Sequence, residues 1–114
     1  MTEAKIQANI VKYLQLRKIY FHSIPNEAYG RSVVAQMQLV AMGLRSGVAD
    51  MCIWLPVQNS ASKVTIGYIE VKKPSGKLSP RQLTFYKHCK DNGIPWLLAH
   101  SMYDVEAWLK ELGV

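Results

Sequence analysis

The sequence predicts an α/β fold in which a mixed four-stranded sheet is flanked by helices in the order αβαββαβα. Three observations carry that prediction. Two runs rich in β-branched and aromatic residues, 47–55 and 64–72, flank the polar stretch Gln58-Asn59-Ser60-Ala61-Ser62, as the strands of an antiparallel hairpin do. Apolar residues recur at helical spacing before, between and after the strand-like runs. The strand, helix, strand succession from residue 64 to 100 requires a right-handed crossover, which lays the last strand parallel to the 64–72 strand.

Taken in order, Thr2 is an N-cap and Ile6, Ile10, Tyr13, Leu14 and Arg17 line one face, giving an amphipathic helix over about residues 2–17. Glu3 points along its apolar stripe, either as a first-turn carboxylate favoured by the helix dipole or as a group directed at a site. Residues 19–24 read as a short strand ended by Pro25-Asn26. Residues 31–42 read as a second helix, with Gly43 as its terminating glycine. Gly43-Leu44-Arg45-Ser46-Gly47 turns the chain into the hairpin, its glycines relieving backbone strain or admitting a ligand close to the main chain. After the second hairpin strand, Ser79-Pro80-Arg81-Gln82 combines a capping box with proline at the first helical position and opens a helix to about Asn92. Residues 94–100 form the last strand, and Ser101 starts a final helix through Leu112.

A chain of 114 residues fits one domain, 1–114, with a single core. Its 49% apolar and 19% charged residues are ordinary globular values. A net charge of +6 and a pI near 9.4 favour a polyanionic partner. Cys52 and Cys89 have no metal-site or disulfide spacing and read as reduced, buried thiols. No signal-peptide pattern or membrane-length apolar run occurs, so an intracellular, cytoplasmic protein without membrane partners is expected.

The hairpin brings chemistry with it. A connection centred on Ser60 sets Asp50 opposite Glu70, with Lys72 diagonal to Asp50 on the same face. Carboxylates facing each other across strands stand about 4.5–5.5 Å apart at Cβ, and they oppose folding unless a cation intervenes. Lys72 can be that cation in a solvated cluster. Alternatively, hard oxygen donors near a strand end hold Mg²⁺ or Mn²⁺. Gln82 is accounted for by its capping box alone. Among the basic residues between 72 and 90, Lys73, Lys77 and Arg81 border the mouth of this site and suit phosphate contacts, the others being a solvated helix face. Trp54, Trp96 and Trp108 are candidates for the core or for an interface.

Together these residues resemble a known pattern. Asp50 followed by Glu70-Val71-Lys72, on a hairpin before a helix, resembles the PD-(D/E)XK nuclease core, a restriction-endonuclease-like fold. The wider set is more specific: Glu3 and Gln7, Pro25-Asn26-Glu27, Gly43-x-x-x-Gly47-Val48-Ala49-Asp50, Glu70-Val71-Lys72-Lys73 and Leu78-Ser79-Pro80-x-Gln82. Over nearly the whole chain it resembles the stand-alone, phage-type VRR-NUC domain, departing at Ala49, where that family commonly has proline. The resemblance implies Mg²⁺- or Mn²⁺-dependent cleavage of DNA without an organic cofactor. It implies that Asp50, Glu70 and the Val71 carbonyl hold the metal, with Glu3 and Gln82 close by as further catalytic residues. Lys72 would orient or activate the attacking water, and Lys73, Lys77, Arg81 and Arg45 would contact DNA. Small stand-alone members are similar to phage-borne enzymes that act as homodimers on branched DNA such as four-way junctions, which makes a homodimer on branched DNA the expectation here. The competing expectations are a basic nucleic-acid-binding module without turnover and an accessory subunit with an acidic partner.

Overall fold

The computed structural model describes residues 1–25, 31–56 and 64–114. Its element order is α1 (Glu3–Leu16), β1 (Phe21–Ser23), α2 (Val33–Ala41), β2 (Met51–Pro56), β3 (Val64–Val71), α3 (Pro80–Asp91), β4 (Trp96–Ala99) and α4 (Met102–Glu111). The four strands form one mixed sheet in the order β1-β2-β3-β4, antiparallel except for the parallel β3–β4 pair. This is the α/β arrangement expected from the sequence. Part of the Pro25-Asn26-Glu27 motif and the connection around Ser60 lie outside the described residues.

Strand alternation divides the sheet into two unlike faces. Met51, Ile53, Leu55, Ile69, Val71 and Ala99 point to one side and are closed over by Ile6, Ile10 and Leu14 of α1 and by Val105, Trp108 and Leu109 of α4. Burial of each such aliphatic side chain contributes about 1.5–3 kcal/mol, which makes this layer the main source of stability. Gly67 belongs to the same face, where a Cβ would overlap Leu55 Cδ1 at 2.9 Å. On the opposite face α3 covers only the β3–β4 half. Phe85 packs edge-on to Tyr68 with ring centroids 5.0 Å apart, and Tyr86 meets Trp96 at 4.6 Å.

The helix starts follow their capping residues. Thr2, Ser32, Ser79 and Ser101 each accept a backbone N–H of the first turn. Gly43 follows α2 with φ +105°, the left-handed conformation that glycine adopts freely. Helix α2 itself differs from the others: none of its nine residues is buried, and Val33, Val34, Met37 and Val40 are all more than 60% exposed. The three tryptophans divide, with Trp108 in the core, Trp96 half-buried and Trp54 exposed. Both cysteines are free and buried, and burial pushes their thiols up. No described helix is long and apolar enough to cross a membrane.

Candidate active site

The β2–β3 register pairs Met51 with Ile69 and Cys52 with Tyr68, so one step further Asp50 faces Glu70. Asp50 lies just before β2, and its position is fixed from three sides. Its Oδ2 accepts the Val71 N–H at 2.7 Å, its carbonyl accepts the Ile24 N–H at 2.8 Å, and the preceding Ala49 is fully buried. Upstream, Gly47 has φ +86°, and a Cβ there would lie 2.5 Å from the Arg81 backbone. Its missing side chain is therefore filled by the first turn of α3, not by space for a ligand. That contact sets the loop bearing Asp50 against the helix bearing Gln82.

Glu70 is the only charged or polar residue among the described ones that is buried, at 2% exposure. Gln82 Nε2 donates to Glu70 Oε1 at 2.6 Å, while Gln82 Oε1 accepts the Ser79 N–H at 2.8 Å. One side chain thus completes the capping box and also ties the helix start to the buried acid. The sequence pattern accounts for the cap and the resemblance places Gln82 near the acids, while the bond itself to Glu70 is visible only in the structure.

Burial and the neighbouring Asp50 charge push the Glu70 carboxyl up to about 8, against an ordinary 4.5. Asp50 is also raised, chiefly by burial. The Val71 N–H opposes that rise, and Glu3 adds to it. The Lys72 ammonium offsets part of the shift at both acids. Lys72 is held at its main chain, where its N–H donates to Ala99 O at 3.1 Å and its carbonyl lies 3.1 Å from His100 Nδ1. Two acids are thus forced together in a site that resists ionising both of them, a condition a divalent cation relieves.

The donors at the pair suit such an ion, being carboxylate oxygens. Glu3 stands back from the pair, its Oε2 accepting the Lys73 N–H at 3.4 Å, although its charge is felt at both acids. Accordingly, no group of three or more His, Cys, Asp or Glu side chains placed to hold a metal occurs among the described residues.

The basic residues predicted to meet DNA lie around this end of the sheet. Lys73, Lys77, Arg81 and Arg45 are exposed. Arg81 donates to Ser46 Oγ, and Arg45 and Arg81 line one recess of about 200 Å³ with Ser46 and His88.

Comparisons with known proteins place the fold and the family. One solved structure, described as a VRR_NUC domain protein, superposes with a TM-score of 0.71 over 98% of this chain and 88% of its own, at 17% identity, which establishes a shared fold. No curated protein matches the chain. The family model for the VRR-NUC domain matches residues 1–103, and the chain accordingly belongs to the VRR-NUC family of nuclease domains.

Proposed function

We propose that this protein is a divalent-metal-dependent DNA endonuclease selective for branched DNA such as four-way junctions, working as a homodimer. The observation that carries the reading is the facing Asp50–Glu70 pair, in which buried Glu70 is held by Gln82 and half-buried Asp50 by the Val71 N–H. Asp50, Glu70 and the Val71 carbonyl would hold Mg²⁺ or Mn²⁺, with Glu3 as a further carboxylate at the rim. The bound ion supplies Lewis acidity toward the phosphodiester and makes water a better nucleophile.

The chain's own residues do the rest. Gln82 fixes the orientation of Glu70, and Val71 fixes that of Asp50, so the pair is set before substrate arrives. Lys72 brings an ammonium to the same face, where it orients the attacking water or stabilises charge developing on the phosphoryl oxygens. Lys73, Lys77, Arg81 and Arg45 take the flanking phosphates and position the strand.

The homodimer rests on α2. Its exposed face is apolar, and the helix carries no charge in a chain of net charge +6. A polyanion gains nothing from that surface, whereas a second copy can cover it without setting like charges against each other. Two copies also supply the two centres that paired cuts require.

Incubating the protein with labelled duplex, single-stranded and four-way DNA in Mg²⁺, Mn²⁺ or EDTA tests the reading. Cleavage should need the metal, favour the junction and disappear in Glu70→Gln and Lys72→Ala. Cleavage persisting in either variant removes the assigned roles. The rival reading, a binding module without turnover, draws on the absence of a third ligating side chain among the described residues. It predicts DNA binding with no cleavage under any metal.

A further inference from the structure

The half of the sheet face that α3 leaves open carries a second set of functional groups. Tyr20, His22 and Trp54 share the face of Asp50 and Glu70, with buried Cys52 between Trp54 and Asp50, because Phe21, Ile53 and Ile69 point to the core. Tyr20 and Trp54 are 56% and 43% exposed, with ring centroids 4.4 Å apart, and His22 meets Tyr20 edge-on at 6.1 Å. A backbone bond from Trp54 N–H to Tyr20 O at 2.9 Å fixes the pair. Beside them lies a recess of about 430 Å³, to which Lys18, Val64, Gly113, Val114 and Arg17 also contribute, the Arg17 guanidinium donating to Tyr13 Oη at 2.7 Å.

We propose that Tyr20 and Trp54, bordered by Lys18, form a stacking platform for unpaired nucleotides running toward the acid pair. Exposed aromatic faces stack bases of any sequence, and adjacent cations take the phosphates, which is the pairing of features that single strands require. A base-paired duplex offers its edges and backbone but not its ring faces, so this surface distinguishes an opened strand from an intact one. Trp54 precedes β2's end while Asp50 precedes its start, and four residues of strand place them roughly 13 Å apart. About four nucleotides at the stacked spacing of 3.4 Å bridge that distance, and fewer do so if the strand is stretched. A second copy of the chain is the poorer occupant, since it would bring its own +6 charge against Arg17 and Lys18. The platform's role beside a cleavage centre rests on the nuclease reading, but its binding does not.

The test is equilibrium binding of the full chain in EDTA to a fluorescein-labelled oligothymidylate and to a blunt duplex of equal length, read by anisotropy. Trp54→Ala and Tyr20→Ala should each weaken oligothymidylate binding about 5- to 150-fold, the loss of one stacked base. They should also lower its affinity relative to the duplex, whereas Trp54→Phe should restore most of the loss. Lys18→Glu, at an exposed position, should weaken oligothymidylate binding without altering the urea midpoint. An unchanged oligothymidylate-to-duplex affinity ratio in folded Trp54→Ala overturns the proposal. Conversion of a dimer to a monomer by Trp54→Ala, with equal loss for both DNAs, also overturns it and assigns the surface to self-association. A wild-type protein that cuts no DNA, yet loses oligothymidylate binding in Trp54→Ala, removes the nuclease reading and keeps the platform.

Discussion

Replacing Glu70 with glutamine should change how the metal-free protein responds to pH. In the folded protein the Glu70 carboxyl titrates near 8, and its ordinary value is 4.5. Because the folded value is the higher one, the contribution of this group to stability is fully present below about pH 4.5. It is lost progressively as pH rises and is gone once pH has passed about 8. At 1.36 kcal/mol per unit, the loss across that window approaches about 5 kcal/mol as an upper bound. The raised Asp50 carboxyl adds a loss of the same sign. Urea unfolding in EDTA at pH 5 and pH 8.5 reads the difference directly. Wild type should lose several kcal/mol between the two, Glu70→Gln should lose much less, and saturating Mg²⁺ should reduce the wild-type loss by favouring the ionised pair. Equal pH slopes for wild type and Glu70→Gln in EDTA would refute the reasoning, because the buried acid would then not be the group that titrates.

Three further outcomes can be checked. Gly47→Ala should destabilise the fold by about 1–3 kcal/mol from its left-handed backbone alone, with more from overlap with Arg81, seen as a lower urea midpoint. Gln82→Ala should cost about 1 kcal/mol of stability through the cap and lower the cleavage rate more than that loss accounts for, whereas Ser79→Ala should give a similar stability loss with a smaller rate effect. An activity loss no greater in Gln82→Ala than in Ser79→Ala would reduce Gln82 to a cap. Met37→Glu on α2 should leave the unfolding midpoint of the dilute, monomeric protein nearly unchanged, since the side chain is exposed, while shifting the mass measured by light scattering at higher concentration from dimer to monomer. A dimer that survives this charge places the interface elsewhere.

The sheet was legible because its information is local and periodic. Alternation along residues 64–72 and a polar connection determine the register, and the observed Met51–Ile69 pairing is the one that a turn centred on Ser60 requires. The caps at Thr2, Ser79 and Ser101 were readable for the same reason, each lying within three residues of the amide it satisfies. Boundaries shifted where tertiary contacts override pattern. Residues 47–50 look strand-like, but Gly47 turns left-handed against Arg81, so β2 begins only at Met51. At the candidate site, the facing of Asp50 and Glu70 follows from register alone. The bond from Gln82 to Glu70 depends on how α3 docks, and the retreat of Glu3 to the Lys73 amide depends on where α1 ends up. No spacing in the chain encodes either. The exposure of α2 was also hidden, because an apolar helix that packs and one that does not have the same periodicity.

The two-sided grip of Gln82 decides where a hydrogen atom can reside. Its carbonyl oxygen is committed to Ser79, so its amide must present N–H to Glu70 Oε1, which disfavours a proton on that oxygen. Asp50 meets the same carboxyl through both its backbone N–H and its own carboxyl. A neutral Glu70 therefore favours its proton away from the oxygen that Gln82 occupies, and the amide that caps α3 also orients the buried acid.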